Sequence, residues 1–65
     1  MNDVSNTNDL ITPEELALII KMSKSSIYRL VKERKIPFYK ISGSLRFRIS
    51  DIEKCIDSSR VEAIV

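Results

Sequence analysis

Only Lys21 and Met22 stand between the end of one amphipathic helix pattern and the cap of the next, and this short junction constrains the fold more than any other feature. The first helix starts at Thr12-Pro13-Glu14-Glu15: Thr12 offers a capping hydroxyl, Pro13 fits the first helical position, and Glu15 completes a capping box. Leu16, Ile19 and Ile20 then recur at i, i+3, i+4 and give that helix one apolar face. Ser23 is placed to cap a second helix over about residues 24–34. Two short helices joined by two residues must turn sharply on one another.

The second helix carries two stripes. Ile27, Leu30 and Val31 share the side expected to face the core, while Ser25, Tyr28, Arg29 and Lys32 share the opposite side. Ile36-Pro37 stops the helix, because the residue before proline disfavours the α region. Two β-prone runs, 38–41 and 45–49, flank Ser42-Gly43-Ser44 and read as a hairpin. A two-residue loop at Gly43-Ser44 sets Ile41 opposite Arg46 and mixes polar with apolar. A three-residue loop over Ser42–Ser44 pairs Ile41 with Leu45 and Tyr39 with Phe47, gathering Lys40, Arg46 and Arg48 on the other face; this is the expected register. Ser50-Asp51-Ile52-Glu53 forms a second capping box, and Ile52, Cys55 and Ile56 mark a third helix over about 51–58. The expected core is Ile27, Leu30, Val31, Phe47 and Ile52, with Cys55 as a small buried hydrophobe.

At 65 residues the chain holds one small domain with a thin core. Residues 1–9 read as a flexible tail, 10–58 as the domain and 59–65 as an apolar tail. The sequence has no histidine and a single cysteine, Cys55, which excludes an internal disulfide, a Cys/His zinc site and any Ser-His or Cys-His catalysis. Capping accounts for Glu14 and Glu15, so no acid–base pair remains; the expectation is no enzyme, no metal, no cofactor and no small-molecule ligand. No apolar run approaches the roughly 20 residues of a membrane span, and the start lacks the pattern of a signal peptide. A bacterial cytoplasmic, nucleoid-associated protein with a reduced Cys55 is expected.

Charge is distributed unevenly. Residues 21–48 hold nine Lys or Arg against one acid, Glu33, whereas the rest of the chain holds two against eight acids. Such a split presents one positive side to a polyanion. The order helix, tight turn, helix, basic hairpin, helix describes an α+β fold, a small winged helix-turn-helix. A helix fits the major groove of DNA, and a basic hairpin beside it follows the backbone toward the minor groove. Lys24, Arg29 and Lys32 are suited to phosphates or guanine, Ser25 and Ser26 are short donors near the helix start, and Tyr28 can set its ring against sugars. Arg29 and Lys32 have an alternative as a solvated helix face near Glu33, and Tyr28 as a peripheral core residue. Arg46 reads as a wing-to-phosphate contact; Arg48 reads either so or as an ion pair with Glu14 or Asp51 at the hairpin base.

Ile11-Thr12-Pro13-Glu14-Glu15-Leu16-Ala17, Met22-Ser23-Lys24-Ser25-Ser26-Ile27-Tyr28-Arg29-Leu30-Val31, Ile36-Pro37-Phe38-Tyr39-Lys40-Ile41 and Arg46-Phe47-Arg48, in this order, resemble the excisionase-type helix-turn-helix family, a compact relative of the DNA-binding domain of MerR-type regulators. The resemblance spans about residues 10–56. It implies a sequence-specific double-stranded-DNA-binding protein of a mobile element or prophage, acting as a recombination directionality factor or a small transcriptional regulator. It further implies that Lys24, Ser25, Ser26, Tyr28 and Arg29 enter or flank the major groove and that Lys40, Gly43, Ser44 and Arg46 belong to the wing. Lys21 and Arg34 stand where the family usually has glycines, at a turn and at the end of the second helix. Leu45 and Cys55 replace larger aromatics and imply a thinner core. A reading of another class is a protein-interaction adaptor of the same fold, in which the apolar end Val61, Ala63, Ile64 and Val65 docks on the third helix, contacts further copies of the chain along DNA or binds a recombinase (integrase).

Overall fold

The computed structural model describes residues 9–63 and shows how local capping builds the two leading helices. The Thr12 hydroxyl accepts the Glu15 N–H at 3.1 Å, and the Glu15 carboxylate accepts the Thr12 N–H at 2.9 Å. This closes the capping box and starts helix α1, Pro13–Ile20. Lys21 ends α1 in the left-handed region, φ 58°, and Met22 N–H reaches back to the Ala17 carbonyl at 3.0 Å. Ser23 then caps helix α2, Lys24–Lys32, its hydroxyl oxygen accepting the Ser26 N–H at 3.2 Å. At its far end Arg34 is left-handed, φ 56°; Arg34 N–H bonds the Val31 carbonyl and Lys35 N–H the Leu30 carbonyl. This pair of bonds is a Schellman motif, and it stops α2 two residues before the expected Arg34.

Strands β1 (Leu10–Ile11), β2 (Tyr39–Ile41) and β3 (Ser44–Arg48) form an antiparallel sheet in the order β1-β3-β2. β1 is absent from the sequence expectation, since two residues are too few for an alternation signal. Ile11 faces Phe47 across the ladder. Helix α3, Ile49–Ser58, grows directly from the end of β3.

The hairpin register differs from the expectation. The loop is the two residues Ser42-Gly43, so Tyr39 faces Arg46, Lys40 faces Leu45 and Ile41 faces Ser44. Both loop residues have positive φ, 50° and 83°, as a type I′ turn requires, and that turn matches the twist of the strands it joins. Lys40 therefore falls on the side of Leu45 and Phe47, while Tyr39 and Ile41 share the other side with Arg46 and Arg48. The expected grouping of Lys40 with Arg46 and Arg48 does not form. The core does not need Tyr39 or Ile41, because Phe38 and Leu45 pack against it instead.

The start of α3 also differs. Ser50 does not cap it; the helix begins at Ile49, and Arg48 in the cap position makes no side-chain cap bond. Asp9 takes over this role from outside the helix: its carboxylate accepts the Ser50 hydroxyl at 2.8 Å and the Ser50 N–H at 3.4 Å, and its backbone carbonyl accepts the Ile49 N–H. Asp9, the last residue of the expected tail, is thus bonded into the fold; the rest of that tail, residues 1–8, and residues 64–65 of the C-terminal tail lie outside the described residues.

The core is Ile11, Leu16, Ala17, Ile27, Phe47 and Ile52, with Leu16, Ile27 and Phe47 fully buried. Val31 and Leu45 pack at its edge, and Leu30 and Cys55 are half-buried rather than buried. Ile19 and Ile56, expected on apolar faces, are about half exposed (51% and 50%), because only Leu16, Ala17 and Ile20 of α1 and Ile49 and Ile52 of α3 reach the core.

The two left-handed cations at the helix ends generate a prediction. A non-glycine residue there carries about 1–2 kcal/mol of steric cost, partly offset by the ~0.5–1 kcal/mol of chain entropy that glycine loses on folding. Lys21→Gly and Arg34→Gly should each raise unfolding free energy by about 0.5 kcal/mol in urea titrations. Asp9→Ala should lower it by about 1 kcal/mol, as loss of a cap does.

Candidate nucleic-acid interface

Helix α2 projects its polar stripe away from the core because Ile27 is fully buried on the other side. Ser25, Tyr28, Arg29 and Lys32 are all exposed, Tyr28 at 47%. Glu33, the acid nearest the stripe, lies 3.6 Å from the Lys35 ammonium. No ion pair among the described residues involves Arg29 or Lys32, so their charges point outward without an internal partner.

The start of α2 has no acid in its first turn, which leaves the positive end of the helix dipole uncompensated. Ser26 is half-buried and takes part in the cap, accepting the Ser23 hydroxyl at 3.0 Å. Lys24 lies 3.7 Å from Glu14 on α1, with both side chains more than half exposed. A surface pair of this kind is worth little and is easily exchanged for another anion. The Glu14 carboxyl is held below its usual range by its own backbone N–H first; desolvation opposes the shift, and Lys24 and the Thr12 hydroxyl add smaller help. It therefore stays ionised near neutrality and competes with an external phosphate for Lys24.

The hairpin divides its cations by position. Lys40, Gly43 and Ser44 are exposed toward the tip, and open space surrounds the place where a Gly43 side chain would stand. Glycine is needed there for its positive φ rather than for room. Arg46 is half-buried, and its guanidinium donates to the adjacent Leu45 carbonyl at 2.7 Å, leaving further donors free to point outward. Arg48 is anchored at the base: it lies 4.0 Å from the Asp9 carboxylate and 5.3 Å from the centre of the Tyr39 ring. Tyr39 in turn donates its hydroxyl to Asp51 at 2.8 Å, tying β2 to α3.

The sequence reading therefore found the α2 stripe, the tip of the hairpin and the anchoring of Arg48 at the hairpin base, where it expected Glu14 or Asp51 as the partner; Asp9 lies beside the Arg48 guanidinium, and the bonds of Tyr39 to Asp51 and of Asp9 to Ser50 were missed. No spacing rule signals those bonds, since their partners meet only across the sheet. Among the described residues, no three His, Cys, Asp or Glu side chains gather as a metal site requires, and no helix is long and apolar enough to cross a membrane.

A family model described as a helix-turn-helix domain matches residues 10–60. Comparison with curated proteins found no match, and neither did comparison with solved structures. The matched span runs from β1 past the end of α3 and so takes in both the capped helix pair and the hairpin, and on that ground the chain belongs to the helix-turn-helix domain family, whose members bind DNA sequence-specifically.

Proposed function

We propose that this chain lays α2 in the major groove of double-stranded DNA and its hairpin along the neighbouring backbone and minor groove, as an excisionase-type binding module. The observation that carries this reading is the α2 stripe, on which Ser25, Tyr28, Arg29 and Lys32 are exposed and the two cations lack an internal partner. Arg29 is the residue suited to a bidentate contact with guanine, with Ser25 and Ser26 as short donors beside it. Tyr28 sets its ring against the sugar-phosphate rim, and Lys24 and Lys32 contact phosphates at either end of the helix.

In the hairpin, Ser44, Arg46 and the Gly43 backbone meet phosphates, Lys40 reaches the backbone from the opposite face of the ribbon, and Arg48 fixes the hairpin base and adds positive field close to the backbone. One such module reads about one half-site, so useful specificity needs a repeat, a second copy or a partner such as a recombinase. Within this reading the chain acts as a recombination directionality factor or a small transcriptional regulator. These two roles differ in the DNA geometry they need: excision calls for a bend that brings distant sites together, and regulation for occupancy over a promoter.

If about five phosphates are neutralised, log affinity should fall with log salt at a slope near −4 to −5 in fluorescence titrations. A flat salt response would remove the reading. Selection from random oligonucleotides should recover a short preferred site, against which Arg29→Ala loses roughly 1–3 kcal/mol and blurs one base position. Lys40→Ala should weaken all sequences alike and reduce the salt slope by about one. Gel mobility with the preferred site permuted along a fragment separates a bending role from simple occupancy.

A further inference from the structure

Behind α2, on the side away from its polar stripe, Ile19 and Ile20 of α1, Met22 of the turn, Leu30 of α2 and Ile56 of α3 wall an open apolar cavity of about 700 Å³. Lys35 is the charged residue of its lining, and Ser59 stands on its rim. Ile19 and Ile56, both of the lining, are about half exposed. A domain this small leaves so much clustered apolar surface uncovered chiefly where something else is meant to cover it. Beyond Ser59 the chain continues as Arg60-Val61-Glu62-Ala63-Ile64-Val65, apolar apart from Arg60 and Glu62, and Val61 is 88% exposed.

We propose that the cavity is a self-association site, which receives the segment beginning at Val61 from a second copy of the chain. The chemistry of the two surfaces is complementary: aliphatic side chains meet an aliphatic groove, and Glu62 is the acid to meet Lys35. The present partners of these two charges, Arg60 for Glu62 at 2.8 Å and Glu33 for Lys35 at 3.6 Å, form exposed pairs that exchange at little cost. The path of the chain favours a second copy over the chain's own groove. Ser59 itself lines the cavity, yet Val61, two residues further on, is 88% exposed instead of entering it, and β-branched Val61 favours extended backbone that leads away from the groove. Two copies facing each other across their grooves would cover both apolar surfaces by reciprocal exchange without any reversal. The α2 stripe remains free in that arrangement, so a pair of copies presents two recognition helices.

Sedimentation of the full chain without DNA tests this separately from nucleic-acid binding. The expected result is a monomer–dimer equilibrium that shifts with concentration. Ile56→Glu in the groove and Val61→Glu in the tail should each weaken dimerisation by at least about tenfold, as loss of a buried anchor does. Ile19→Glu serves as the groove variant should Ile56→Glu fail to give a native circular dichroism spectrum. Lys35→Glu and Glu62→Lys should each weaken the dimer and together restore it. Mixing the groove variant with the tail variant should recover a mixed dimer through its one intact contact. A chain that stays monomeric up to hundreds of micromolar overturns the proposal. So does a Val61→Glu protein whose melting temperature falls independently of concentration, which would place the tail in its own groove, and so does a dimer indifferent to both substitutions.

Discussion

Phe47, fully buried one residue from the end of β3, is the residue on which the other elements depend. Among the described residues, β3 is the one strand with a neighbour on each side, and α3 continues from its end. Ile11 meets Phe47 across the ladder, while Leu16 and Ile27 bring α1 and α2 onto the same cluster. Burying one such side chain contributes roughly 1.5–3 kcal/mol, a large share of the stability available to so small a domain. With Ile27 fixed inward, the phase of α2 is fixed as well, and Ser25, Tyr28, Arg29 and Lys32 are turned outward by helical geometry alone. The surface proposed to meet DNA is thus a consequence of what the core must hide.

Strain is placed where the fold changes direction. Lys21, Arg34 and Ser42 all adopt positive φ without being glycine, at the end of α1, the end of α2 and the tip of the hairpin. Each is exposed, so the side chain clashes with nothing beyond its own backbone. Two of the three are cations within the basic segment. Lys21 and Arg34 thus combine a left-handed backbone with positive charge at the turns that border α2.

The arginines of β3 lie two residues apart and therefore on one face of the strand, yet their surroundings differ. Arg46, opposite Tyr39, has only a neighbouring carbonyl as its hydrogen-bond partner and keeps donors to spare. Arg48 sits between Asp9 and the Tyr39 ring, and Tyr39 and Asp9 in turn hold Asp51 and Ser50 of α3. This group ties Asp9, next to β1, to Tyr39 of β2, Arg48 of β3 and Ser50 and Asp51 of α3 at the hairpin base. Because it is half-exposed, it fixes orientation more than it adds stability.

Sequence alone determined the helix pair. The bonds that start α1 and α2 span three residues each, Thr12 to Glu15 and Ser23 to Ser26, and such short-range chemistry is readable from residue types and spacing. The α2 stripe was legible for the same reason, since a period of 3.6 residues is a local property; Lys21 and Arg34 stand where the resemblance has glycines, and the structure holds both in the left-handed region. Tertiary structure alone decided the hairpin register and the start of α3. The alternation of Tyr39 and Ile41 with Leu45 and Phe47 suggested an odd loop, but strand twist favoured the two-residue turn and Phe38 filled the space that Tyr39 was expected to fill. The cap of α3 comes from Asp9, 41 residues before Ser50 in the chain, and no local pattern can reveal a partner brought close only when β1 pairs with β3.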